Sequence, residues 1–168
     1  MKKNIYIFIL ILFSFTACDN PFAPRLSNNS GTKSILGDQT TINGLFENFR
    51  YAYIFKDTIV YGNLLDDEFK FIFRNYEKGI DEFWGRTEEM ITTSRLFLAT
   101  KSIDLIWNDI TNSVGDSLNT DISRAFNLKI VFSDTDIINI YGRVNMRLTR
   151  KSTSQIWKIK QWRDESNF

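Results

Sequence analysis

At Phe69 the apolar residues of this chain stop recurring at helical spacing and begin to alternate, and this change of period constrains the fold more than any motif. Before it, Ile42, Leu45, Phe46, Phe49, Ala52 and Tyr53 share one helical stripe, predicting an amphipathic helix from an N-cap at Asp38 to Phe55. Asp57 offers a second N-cap, and Ile59, Val60, Leu64 and Leu65 predict a shorter helix ending at the acidic break Asp66-Asp67-Glu68. After the change, Phe69, Phe71 and Phe73 face one way and Lys70 and Arg74 the other, as in a half-buried strand. A glycine-bearing loop around Lys78-Gly79 then leads through Phe83-Trp84-Gly85 to a third helix over 87–98, with Met90, Ile91, Ser94, Phe97 and Leu98 on its packing face.

Alternation returns in Ile103, Leu105 and Trp107, in Phe126 to Phe132, in Ile138 to Leu148, and in Trp157 and Ile159, which predicts four more strands. Residues 112–116 and 151–154 read as turns, and the short reach between the last two strands favours antiparallel pairing. The predicted class is α+β, with N-terminal helices packed on a strongly curved, mainly antiparallel sheet in the order ααβαββββ.

Upstream of residue 38 the chain changes character. Lys2 and Lys3 precede an apolar run from Ile5 to Phe15, and Thr16-Ala17 are small residues ahead of Cys18, the only cysteine. That is signal-peptide anatomy over residues 1–17, with an apolar run well short of the roughly 20 residues that span a bilayer. Residues 18–37 contain both prolines and a Ser/Asn/Gly cluster. They read as a tether whose span as a flexible coil is on the order of 25 Å. Residues 38–168 then form one domain. Loss of the leader takes Lys2 and Lys3 from 21 basic residues against 20 acidic ones, leaving 19 − 20 = −1. No nucleic-acid footprint results. With Cys18 modified no disulfide is possible, so stability rests on a core rich in aromatics, 15% of the chain.

Two resemblances follow. Phe15-Thr16-Ala17-Cys18 resembles the lipobox of bacterial lipoproteins, with Phe15 in place of the usual Leu; this implies that Cys18 becomes a lipid-bearing N-terminus. Two or three acyl chains, at about 0.8 kcal/mol per buried methylene, would hold the protein on an envelope membrane, either the outer membrane or the periplasmic face of the inner one. The element order over residues 38–165, the stretch from Tyr53 to Asp67, and the closing Trp157 to Asp164 resemble the nuclear-transport-factor-2-like (SnoaL-like, cystatin-like) superfamily. That resemblance implies a cone-shaped sheet closed by helices around a pocket. Tyr53, Phe71, Phe73, Trp107, Phe132 and Trp157 are the candidates for its wall.

The chemistry available is narrow because the chain has no histidine. Histidine-based triads, histidine general bases and most zinc or iron sites are excluded, leaving carboxylate, tyrosine or lysine chemistry of the ketosteroid-isomerase or polyketide-cyclase type that the resemblance implies. Those relatives carry an aspartate base on the first strand, where this chain has Phe69-Lys70-Phe71-Ile72-Phe73-Arg74. The remaining catalytic candidates are Asp67 or Asp104 as base and Tyr53 as donor to an oxyanion. Asp134-Thr135-Asp136 reads as a hairpin turn rather than a metal site, and Glu88-Glu89 as charges at a helix start; no metal or cofactor is expected. Arg143, Arg147, Arg150, Lys151, Lys158, Lys160 and Arg163 gather on the last hairpin as a basic strip, which reads as a solvated sheet face, with contact to an acidic partner or anionic headgroups as the alternative.

The leading expectation is a non-catalytic binding or interaction domain anchored in the bacterial envelope, taking a small apolar ligand or a protein partner. The alternatives are an isomerase- or cyclase-type enzyme and a structural lipoprotein that forms a homodimer through its sheet face.

Overall fold

In the computed structural model, which describes residues 35–164, the first helix starts at Thr41 and not at Asp38. Helix α1 spans Ile42–Phe55, and the Thr41 hydroxyl accepts from the Gly44 amide at 3.0 Å. Asp38 instead fastens the turn before it, accepting from the Thr40 amide and hydroxyl. Gly44 is required there because a Cβ would lie 2.0 Å from the Asp38 carbonyl oxygen. Lys56 closes α1 in the left-handed region at φ 56°. Asp57 caps helix α2, Thr58–Leu64, as expected, with Oδ1 accepting from the amides of Ile59 and Val60.

No break separates α2 from the first strand. Strand β1 is Leu65–Asn75, and the acidic run lies within it, where the register with its neighbour shifts between Leu65 and Lys70. Phe69 and Phe71 are buried and Phe73 packs against the core, whereas Lys70 and Arg74 are exposed. The next segment, read from sequence as a loop, is a strand. Strand β2, Ile80–Gly85, pairs antiparallel with β1, so the order is ααββαββββ. Asp81 and Glu82 hid it, since acidic residues are poor strand formers. Here they are paired with Arg74 and Lys78 across the hairpin, while Gly79 supplies φ +66° at its turn.

Helix α3, Arg86–Ala99, buries Glu89, Thr93 and Phe97. The face therefore lies one residue around from the predicted one: Met90 and Ser94 are half-buried, but Ile91 and Leu98 are exposed. Strands β3 (Ser102–Gly115), β4 (Asn119–Val131), β5 (Ile137–Thr149) and β6 (Lys158–Asp164) follow. The turn placed at residues 112–116 shrinks to the residues after Gly115, because β3 runs on to pair Gly115 with Thr120, and Asp116 Oδ1 gathers the amides of Leu118 and Asn119. Asp134-Thr135-Asp136 is the β4 to β5 hairpin turn.

The six strands form one open sheet in the order β2-β1-β6-β5-β4-β3. Neighbours are antiparallel except β1 and β6, which run parallel. α1 lies against α2 and β3, and α3 against β1 and β2. The described residues from Ile35 onward form a compact unit with a continuous core from Leu45 to Ile159. The leader 1–17, Cys18 and residues 19–34 lie outside the described residues.

Candidate functional site

Rings fill the space between the helices and the sheet. Phe49, on the buried stripe of α1, stacks on Tyr53 with centroids 4.8 Å apart and meets Tyr61, Trp107 and Trp162 edge-on at 5.4 to 5.5 Å. Trp162 reaches Phe71 at 5.2 Å, and Phe71 stacks on Trp84 at 4.5 Å with Phe73 beside it. Alternation delivers these side chains to one face, since Trp84, Phe71, Trp162 and Met146 stand opposite one another across four adjacent strands. The Trp107 indole donates to the Phe46 carbonyl at 3.1 Å, tying β3 to α1.

Of the six wall candidates, Tyr53, Phe71, Phe73 and Trp107 thus belong to this ring network. Trp157 is buried apart from it under the Arg150 guanidinium, 4.2 Å from the ring centre. Phe132 packs partly buried at the end of β4. The carboxyl candidates do not join Tyr53: Asp67 and Asp104 are exposed, on β1 and β3, while Tyr53 is buried beside Phe49, Tyr61 and Phe97.

The polar centre of the interior is a residue with a plain sequence reading. Glu89, one turn into α3, is 4% exposed and the only acidic or basic residue that is buried among the described residues. Its Oε1 accepts from the Tyr61 hydroxyl at 2.6 Å and the Thr93 hydroxyl at 3.0 Å, and its Oε2 from the Trp84 indole at 2.7 Å. One carboxyl group therefore joins α2, β2 and α3. The one available signal was the i, i+4, i+8 spacing of Glu89, Thr93 and Phe97 on a helix whose other faces are polar.

Burial, with repulsion from Tyr53 and Glu89 adding to it, pushes the Tyr61 phenol well above its ordinary value of 10.0. The folded chain therefore keeps a proton that the unfolded chain loses above that pH. The stability contributed is complete below the unfolded value and declines above it by up to about 1.4 kcal/mol per pH unit. Urea unfolding at a series of pH values above and below 10 is expected to give a shallower alkaline decline for Tyr61→Phe than for the parent; equal declines would refute this role.

Three of the seven residues of the predicted basic face, Arg147, Lys160 and Arg163, are neutralised by carboxylates. Arg147 forms a two-pronged pair with Asp121, Arg163 and Arg74 share Asp81, and Lys160 pairs with Glu68. Those guanidinium groups hold the Asp81 and Asp121 carboxyls below the usual range.

An open, twisted six-stranded sheet wrapped on three helices, with β1 parallel to the last strand, decides the comparison. The fold is NTF2-like. A Novosphingobium aromaticivorans protein named for scytalone dehydratase superposes with TM-score 0.65 at 9% identity, over 76% of this chain and 82% of its own. An NTF2-like protein of unknown function in nutrient uptake from Rhodospirillum rubrum gives 0.60 at 14%, over 76% and 99%. A type 2 hexachlorocyclohexane dehydrochlorinase gives 0.57 at 9%, over 74% and 81%. Identities this low speak to the fold alone. No protein-family profile and no curated protein matches the chain.

Proposed function

We propose that this chain is a bacterial envelope lipoprotein, anchored through Cys18, whose NTF2-like domain is a non-catalytic binding or interaction module. The packing of the interior carries this reading. Phe49, Phe71, Trp84, Trp107 and Trp162 pack against one another between the helices and the sheet, and Glu89 is already engaged by three donors. A general base must reach a substrate proton. Asp67, which lines an open groove, and Asp104 are both exposed, whereas Tyr53 is buried. The enzyme names of two structural neighbours do not alter this, since one fold hosts many functions.

The anchor rests on the sequence around Cys18. Metabolic labelling with a radioactive fatty acid is expected to mark the wild type and not Cys18→Ser; equal labelling of the two would refute acylation at this residue. Catalysis is tested separately on residues 35–168, offered a broad panel of small carbonyl and halogenated substrates. No turnover is expected, and turnover abolished by Tyr53→Phe, Asp67→Asn or Asp104→Asn would establish the enzyme reading instead.

A further inference from the structure

A groove of about 950 Å³ runs beside the last hairpin, with Arg86, Arg150, Lys151 and Lys158 along it. None of the four forms an ion pair with a described residue, unlike Arg74, Arg147, Lys160 and Arg163. Arg86 uses Nη2 on the Gly62 carbonyl at 2.9 Å, while its Nε is shut off from solvent with no acceptor. Lys158 donates to the Asn63 carbonyl, and burial, then the neighbouring Arg86 charge, pushes its ammonium down from the ordinary range against the pull of Asp67 and Asp66. Arg86 and Lys158 thus lie close enough for their charges to repel, each partly withdrawn from water, with Asp66 and Asp67 offsetting that repulsion only in part.

Arg150 adds a fixed positive wall, held over Trp157 and bound to the carbonyls of Thr40, Ser117 and Thr153. Asp66, Asp67 and Glu68 line the same groove, Glu68 neutralised by Lys160. Cations still outnumber carboxylates there.

We propose that this groove binds a phosphate group, held between the Arg86 guanidinium and the Lys158 ammonium in the field of Arg150 and Lys151. A guanidinium fork and a lysine point charge are the usual complement of phosphate oxygens. The groove lies where the chain enters the compact unit: Gln39 donates to the carbonyls of Asn63 and Trp157, and Thr40 accepts from Arg150. A lipid headgroup is therefore one source of the phosphate and soluble phosphate the other. The phosphate site itself stands independently of the anchor at Cys18.

The test is a titration of ¹⁵N-labelled residues 35–168, the compact unit, with inorganic phosphate and, separately, with dihexanoyl phosphatidylglycerol below its micelle concentration. Saturable amide shifts are expected at Arg86, Thr87 and residues 157–160. Binding should weaken at least about tenfold in Arg86→Gln and in Lys158→Gln, and stay unchanged in Lys129→Gln, a variant of an exposed lysine on β4. Thermal unfolding verifies that each variant is folded. Saturation by the lipid alone identifies a headgroup site, by inorganic phosphate alone a soluble-phosphate site, and by both a site for the phosphate group itself. Absence of saturable shifts with either probe, or shifts unaltered in whichever variants fold, overturns the proposal.

Discussion

Replacing Glu89 with alanine is expected to cost about 3–5 kcal/mol, because each buried donor left without an acceptor costs about 1–3 kcal/mol. The Tyr61 hydroxyl and the Trp84 indole would be stranded. Thr93 suffers less, since its hydroxyl can turn to the carbonyl one helical turn earlier. Against a total stability of about 5–15 kcal/mol, the loss brings the fold close to failure at physiological temperature. Urea unfolding should show a large drop in midpoint with an unchanged slope. Glu89→Gln keeps one oxygen acceptor and most of the volume, so its cost is expected to be about half as large. A Glu89→Ala midpoint within error of the parent would refute the carboxyl group's role as the junction of α2, β2 and α3.

Phe49→Ala is expected to cost a comparable amount, about 3–5 kcal/mol, by a different mechanism: it opens a cavity. The ring is 1% exposed and touches four other aromatic rings, those of Tyr53, Tyr61, Trp107 and Trp162, on α1, α2, β3 and β6. Close packing lets none of these collapse freely into the void. Phe49→Leu, which retains apolar volume but not the edge-to-face contacts, should recover more than half of the loss. A Phe49→Ala variant losing under about 1 kcal/mol would mean that the interior repacks, and would count against a filled cone. The two substitutions share Tyr61 as a neighbour, so their effects are expected to be non-additive in the double variant.

Much of the architecture was readable in local pattern. The stripe from Ile42 to Tyr53, the Asp57 cap and the alternation after Phe69 each specify an element from residues within a few positions of one another. Local pattern failed where long-range pairing overrode it. Strand β2 sets Asp81 and Glu82, poor strand formers, among Ile80, Phe83 and Trp84, and β1 offers it a partner while Arg74 offsets the charge of Asp81. The face of α3 was misplaced for a related reason: Ile91 and Leu98 look like packing residues, but the helix turns Glu89 and Thr93 inward. Their partner Tyr61 makes an otherwise costly burial favourable.

The sequence by itself determined the class of fold, the order of nearly all its elements and, through the absence of histidine, the chemistry that is excluded. Periodicity is a short-range property, and it assigns apolar side chains to a face without reference to the rest of the chain. Only the tertiary structure decided which polar groups go inside and whether the cone is open. Those depend on residues distant in sequence: Glu89 is buried because Tyr61, 28 positions away, supplies a hydrogen bond, and the interior is filled because Phe49 meets Trp107 and Trp162. Burying a carboxyl group is unfavourable until such partners converge on it, and only the folded chain brings them together.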